Sequence, residues 1–265
     1  MEKTLEFPVL LRLINERSAA FRALVMSAPG LELRVPTCPE WTLLDLVHHL
    51  GEVQRFWAAA VNAGPAAAAP AEPASRAVEA APREQEAVLA WSAESTRQLL
   101  EALREAGPDS GCWTWWGASQ SPQTSGAVAR HQLQEVAVHT YDAQVTVGVP
   151  QPLPDEAALD GVEEFLSTCV AWTVPWPHEA AAVDFYVTEG RSWRLSLSAG
   201  GARVIRFGPP GTSAADHGPD AAASARGTAN EVVLALYDRI PIDSLQLNGD
   251  RRLFDQLRAW NTAAS

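Results

Sequence analysis

The stretch RHQLQEVAVHTYD, residues 130–142, has the spacing of an amphipathic helix but carries two histidines, a glutamate and an aspartate. Each residue of a helix advances about 100°, so Glu135 and His139 project within about 40° of each other. His131 extends this stripe by one turn. A glutamate and a histidine at this spacing can bind one metal ion, and they can equally form a helix-surface pair. The segment is therefore either a solvated face or half of a metal site.

A second motif, VPTCPEWTLLDLVHHLGEV at residues 35–53, predicts a helix with a third candidate ligand. Thr42 and Asp45 resemble a capping box, which marks the start of the helix. By the helical period, His49 points toward the apolar stripe of this helix and His48 points away from it. Three protein ligands with one open position are typical of catalytic rather than structural zinc. The spacing allows His49 to join such a site, but it does not exclude the alternative that Glu135 and His139 form only a helix-surface pair.

The first part of the chain, residues 1–152, is predicted to be an all-α four-helix bundle. Four amphipathic segments support this prediction, at about residues 5–28, 42–61, 83–106 and 125–147. The Ala/Pro-rich stretch between the second and third segments, residues 63–82, predicts a linker, because each interior proline would break a helix.

The second part, residues 153–265, is predicted to be an α+β domain with a small, mainly antiparallel sheet. A helix at 155–172 precedes three short alternating runs separated by glycines, which indicates an antiparallel meander. A flexible stretch at 209–220 and a short run ending at Arg226 follow. The remaining predicted elements are a helix at 229–239, the strand DSLQLNG and a last helix at 251–260.

Composition excludes several classes of protein. The net charge of -12, with no cluster of Lys or Arg, disfavours nucleic acid and anionic membranes as partners. No apolar run reaches the roughly 18–20 residues of a membrane span, and charged residues interrupt the amino-terminal segment, so a cytoplasmic protein is expected. The three cysteines lack metal or disulfide spacing and predict reduced, structural thiols: Cys38, Cys112 and Cys169.

The two helical motifs together resemble the mycothiol-dependent maleylpyruvate isomerase family, which has a metal-binding four-helix bundle of the DinB-like superfamily. The tail ARGTANEVVLALYDRIPIDSLQLNGDRRL, residues 225–253, resembles the sterol-carrier-like carboxy-terminal domain of that family. By matching position, the resemblance implies that His49, Glu135 and His139 bind a divalent metal, zinc being the expected ion. It also implies mycothiol as the cosubstrate.

The sequence departs from the family pattern beside these ligands. Gln134 and Thr140 stand where the family motif has His and Arg, and Arg130-His131 stands where it has an Arg pair. Changes next to an intact ligand set alter what is bound more than whether a metal is bound. The departures therefore put maleylpyruvate itself, and not the metal, in question.

The expected function is activation of mycothiol for addition to an electrophilic small molecule, as an S-transferase or a cis-trans isomerase. A metal lowers the pKa of a coordinated thiol, and the negative charge that develops on the substrate calls for an arginine. Arg226 and Arg239 are the candidate catalytic residues, with Arg226 favoured because a cation near a helix end, as at Arg239, is stabilising by itself. A monomer or a homodimer is expected.

Alternatives remain open at this point. Two other functions compete with the thiol reaction. One is that of a metal-dependent enzyme that uses water instead of a thiol, and the other is that of a non-catalytic protein whose second domain binds a small apolar molecule. Asp142 is predicted either to hold the second nitrogen of a ligand histidine or to be a solvated acid. Four tryptophans either line the cleft or pack as a lid: Trp41, Trp113, Trp115 and Trp116.

Overall fold

The computed structural model describes residues 5–65, 68–69, 82–208 and 221–264. Residues 261–264 are described by their backbone alone. The predicted loop at 209–220 and most of the predicted linker at 63–82 lie outside these residues. The described chain divides into two compact units. The first comprises Met1–Gly117 and Pro122–Leu153, and the second comprises Ala118–Ser121 and Pro154–Ser265. None of the described helices is both long enough and apolar enough to cross a membrane.

The first unit is helical, as predicted. Its four long helices are α1 (Phe7–Ser27), α2 (Leu43–Ala63), α3 (Gln85–Ala106) and α4 (Ser125–Thr146). Helices α1 and α2 each pack against both α3 and α4. Their apolar faces bury a core that includes Phe21, Leu46 and Leu50, and burial of such side chains is the main source of their stability.

Local signals in the sequence fix where helix α2 begins and how closely it packs. The predicted capping box is confirmed, because the Thr42 hydroxyl accepts from the amide of Asp45 and the Asp45 carboxylate accepts from the amide of Thr42. Gly51 lets the helix approach its neighbour closely. A Cβ atom at this position would lie 1.9 Å from Cζ3 of Trp91 on α3, so any larger residue would force the ring of Trp91 to shift.

A short hairpin precedes α2 and was not anticipated from the sequence. Strands β1 (Arg34–Val35) and β2 (Cys38–Thr42) pair antiparallel, in a stretch that reads only as a Pro-rich approach to the helix. Strands of two and five residues are too short for an alternating pattern to stand out. The hairpin carries Thr37 and Cys38 next to the end of α4, as described below.

The second unit is α+β with a mixed five-stranded sheet. Helix α5 (Asp155–Phe165) continues into a π-helical turn (Leu166–Val170), so the predicted single helix to residue 172 is too long. Strands β3 (Ala181–Val187), β4 (Ser192–Ser198) and β5 (Gly201–Phe207) form the predicted antiparallel meander. Strand β6 (Ala223–Gly227) pairs parallel with β3, and β7 (Gln246–Gly249) pairs antiparallel with β6.

Two further described helices belong to this unit. Helix α6 (Ala229–Leu236) ends three residues before the predicted limit at Arg239, and α7 (Arg252–Ala264) closes the chain. Residues 118–121 also belong to this unit, where the side-chain amide of Gln120 exchanges hydrogen bonds with the backbone of Val204. The sequence pattern contains no signal for this four-residue excursion, because it depends on pairing with a strand more than 80 residues away.

Candidate metal centre

The structure brings together the three side chains that the resemblance implied as ligands. His49 projects from α2, and Glu135 and His139 project from α4. Nε2 of His49 lies 2.8 Å from Oε1 of Glu135, and Nε2 of His139 lies 3.4 Å from the same oxygen. One ligand atom from each residue lies within 4.8 Å of the others, and no other such group occurs in the described ranges. Metal binding by these residues stays a prediction.

Asp142 fixes the orientation of His139. Its Oδ2 lies 2.8 Å from Nδ1 of His139, one turn along the same helix. An ionised carboxylate can only accept a hydrogen bond, so Nδ1 must carry a proton and the neutral ring presents its lone pair at Nε2. The alternative of a solvated acid is wrong, because Asp142 is fully buried. A buried carboxylate behind a ligand histidine is the usual support of a metal site.

The hairpin before α2 completes the support of Asp142. The hydroxyl of Thr37 donates to Oδ1 of Asp142 at 2.6 Å, and Sγ of Cys38 lies 4.0 Å from Oδ2. Both carboxylate oxygens therefore have partners, which offsets the cost of burying the charge. Sequence reasoning missed Thr37, because its partner lies 105 residues away and no local spacing connects them.

The charges of the cluster are strongly coupled. Burial raises the pKa of Glu135, but hydrogen bonds to His139 and His49 outweigh this effect and hold its pKa well below the ordinary value. Burial lowers the pKa of His139, but hydrogen bonds to Asp142 and Glu135 outweigh it and raise the pKa to about 9. Without a metal, a proton on His139 neutralises part of the carboxylate charge. A divalent cation would take the place of this proton.

The donor set suits a divalent metal of the zinc type. Two imidazoles and one carboxylate are three protein ligands, which leaves a position for a further ligand. The side chains of the candidate ligands His49, Glu135 and His139 are 30, 17 and 8% exposed, so the cluster is most accessible on the His49 side. The ring of Trp41 lies 4.6 Å from that of His49 and 5.9 Å from that of His139, and it covers part of the cluster.

A pocket of about 360 Å³ lies beside Glu135 in the first unit. Its walls are mainly aromatic and apolar; the residues that line it are Glu52, Val53, Phe56, Trp57, Trp115, His131 and Glu135. His131 is buried and packs against the rings of Trp57, Trp115 and Trp116. Thus His131, although on the ligand stripe of α4, lines this pocket and is not part of the ligand cluster.

The two arginines predicted to be catalytic lie in the second unit. The guanidinium of Arg226, on β6, lies 5.0 Å above the ring of Tyr186, whose hydroxyl donates to the buried Asp184. Arg239 follows the end of α6 and donates to the carbonyl of Tyr237 at 2.7 Å. It also lines a cavity of about 370 Å³ with mainly apolar walls. A catalytic role of either arginine stays a prediction.

Comparisons with known proteins point to one family. The family model for the mycothiol maleylpyruvate isomerase N-terminal domain matches residues 11–144, and the model for the MDMPI C-terminal domain matches residues 156–256. No curated protein matches the chain in sequence.

Two solved structures share the fold. One is the mycothiol-dependent maleylpyruvate isomerase, with 15% identity and a TM-score of 0.60, and the other is a histidine-to-alanine mutant of that isomerase, with 15% identity and a TM-score of 0.62. Each alignment covers 94% of this chain and 96% of the other. At this identity the likeness concerns the fold.

Proposed function

Because the chain belongs to the mycothiol maleylpyruvate isomerase family, we propose that it is a metal-dependent enzyme that adds mycothiol to an electrophilic small molecule. The family is named for an enzyme, and at this level the prediction of an enzyme is confirmed. The observation that carries the proposal is the cluster of His49, Glu135 and His139, which is supported from behind and accessible from one side. The reaction is S-transfer or cis-trans isomerisation.

The three clustered residues would hold the metal, and zinc is the ion we propose. A divalent ion at this position would supply Lewis acidity, which would lower the pKa of a thiol bound to it at neutral pH. Asp142 keeps the proton of His139 on Nδ1 and so keeps Nε2 available for the ion. Trp41 packs against the rings of two of these residues, His49 and His139.

The chemistry of the thiol is addition. A bond forms between sulfur and an electrophilic carbon, the thiol proton leaves, and the electron pair of the attacked bond moves onto the substrate. In S-transfer the carbon that receives this electron pair takes up a proton, and the neutral adduct is the product. In isomerisation, rotation about the new single bond comes first; the electron pair then re-forms the double bond as the carbon–sulfur bond breaks, and the sulfur takes up a proton to return the thiol. We propose that Arg226 stabilises the negative charge that develops in either version.

A pair of neighbouring variants tests the ligand set. His49→Ala removes a ligand atom, whereas His48→Ala removes a ring whose Nε2 lies 2.9 Å from the carbonyl of Pro82, away from the cluster. Zinc content by atomic emission and mycothiol affinity by calorimetry are measured for both. We expect His49→Ala to lose zinc and mycothiol binding and His48→Ala to retain both. A zinc content in His49→Ala equal to that of the wild-type protein contradicts the ligand set.

The same titrations separate the thiol reaction from its alternatives. Zinc-loaded wild-type protein that fails to bind mycothiol would exclude the proposed cosubstrate and favour an enzyme that uses water as the nucleophile.

The departures from the family pattern beside the proposed ligands bear on the substrate. Thr140 is buried and donates to the carbonyl of Val136 in its own helix. It supplies no positive charge at the place where the family pattern has an arginine.

A second candidate function is the binding of an apolar ligand by the second unit. The cavity beside Arg239 supports it, since its walls include Phe165, Phe185 and Phe254. A protein that binds neither zinc nor mycothiol, but binds a fluorescent apolar probe, would favour this second function.

We also propose that the four long helices form a DinB-like bundle and that the second unit is sterol-carrier-like.

A further inference from the structure

The pocket beside the metal cluster has walls suited to a flat apolar molecule. The rings of Phe56, Trp57 and Trp115 line it, together with Val53. Phe56 and Trp57 meet edge to face with ring centroids 5.3 Å apart, so these walls are mutually packed. Trp115 is 40% exposed, an unusual environment for so large an apolar side chain. Aromatic walls gain most from a ring that stacks or packs on their faces.

The charges around the pocket disfavour anions. None of the described residues that line it is Lys or Arg. Glu52 contributes a carboxylate, whereas the carboxylate of Glu135 belongs to the candidate metal cluster. His131 is the basic side chain of the lining, and its ring is enclosed by tryptophan rings. A carboxylate substrate would need a cation or several donors to replace its hydration. A metal ion at Glu135 would balance one carboxylate, but the described walls offer no second cation for a dicarboxylate.

We propose that this pocket binds an uncharged aromatic electrophile and not a dicarboxylate such as maleylpyruvate. The inference rests on the proposed function, because Glu135 belongs to both the pocket and the metal cluster and so brings the bound ring beside the ligands. For an electron-poor alkene conjugated to a ring, the thiol sulfur bonds to the β-carbon. The π electrons move to the α-carbon, which takes a proton, so the thiol adds across the double bond without an oxidant or a reductant.

Calorimetry with two unreactive probes tests the charge preference. Methyl 3-phenylpropanoate and 3-phenylpropanoate have the same ring and chain and differ in the ester, and neither has a double bond that a thiol can attack. Both are titrated into metal-free wild-type protein without thiol, because a carboxylate would otherwise bind the open position of the metal. We expect the ester to bind at least about tenfold more tightly than the anion, as an unpaired carboxylate pays for desolvation. Equal binding, or tighter binding of the anion, overturns the proposal.

Two variants locate the binding. Trp115→Ala removes one aromatic wall, and we expect a loss of about tenfold in affinity for the ester that Trp115→Phe largely restores. Glu52→Lys replaces a carboxylate with a cation at the rim, and we expect a gain of about fivefold for the anion. Glu105→Lys makes the same change of charge at an exposed site on α3, outside the pocket, and should alter neither affinity. Full ester affinity in Trp115→Ala overturns the proposal.

Failure of this inference is distinguishable from failure of the proposed function. Mycothiol is titrated into zinc-loaded wild-type protein in a separate experiment. Binding of mycothiol together with a preference for the anionic probe overturns the aromatic pocket and leaves the thiol reaction standing. Binding of the ester with no binding of mycothiol supports the pocket and contradicts the proposed cosubstrate.

Discussion

Replacement of Asp142 by asparagine is the most direct test of how the metal centre is built. Asp142 is fully buried, with one oxygen 2.8 Å from Nδ1 of His139 and the other 2.6 Å from the hydroxyl of Thr37. Asparagine has almost the same shape, and its amide oxygen can still accept from Nδ1. The substitution therefore removes a negative charge and leaves the packing nearly unchanged.

The expected loss is in metal affinity. Replacing the carboxylate partner of a ligand histidine typically costs about 10–100-fold in affinity, or about 1.4–2.7 kcal/mol. The loss arises because a neutral amide holds the ring less firmly and makes Nε2 a weaker donor. We expect Asp142→Asn to fall within this range, since burial leaves its charge poorly screened by water. Thr37→Val, which removes one support of the carboxylate but keeps its charge, should lose less.

Competition with a chromophoric zinc chelator measures both affinities at one pH. Circular dichroism of the metal-free proteins shows whether each variant keeps its helices. A folded Asp142→Asn protein with a zinc affinity within about twofold of wild type would refute the reasoning, because the contact would then contribute nothing to the site. A loss in Thr37→Val as large as that in Asp142→Asn would also contradict it, since the charge would not be the cause.

Four further predictions concern pH, packing and a buried ion pair. Because the pKa of His139 is raised to about 9 in the metal-free protein, zinc titrations should show an affinity that rises about tenfold per pH unit between pH 7 and 9, as binding displaces this proton. The same raised pKa stabilises the metal-free fold fully below about pH 6.5, and urea unfolding should show this contribution disappearing as pH rises through about 9. Gly51→Ala should lower the free energy of unfolding by about 1–3 kcal/mol, despite the better helix propensity of alanine, because Cβ would meet Trp91; no change in a urea melt would contradict this packing. Asp184→Ala should cost about 3–5 kcal/mol in the same assay by leaving the charge of Arg194 buried without its bidentate partner, and a cost below about 1 kcal/mol would show that the pair is solvated.

Much of the fold followed from local patterns. The capping box at Thr42, the period of the helices and the glycine-separated strands each depend on residues close together in sequence, and each matches an element of the structure. The errors lie where local patterns end. Helix α5 gives way to a π-helical turn before the predicted limit, and the hairpin before α2 is too short to produce a pattern.

For the candidate site, the sequence by itself determined the spacing of Glu135 and His139 on one helix face, and it made His49 available from another helix. Helical periodicity fixes the direction in which a side chain projects from the axis of its helix. It carries no information on which helices pack together. Only the tertiary structure brought the three ligand atoms within 4.8 Å, placed Thr37 behind Asp142 and surrounded His131 with tryptophan rings. These contacts join residues separated by tens of positions, because burial of apolar faces, and not local spacing, selects which helices pack together.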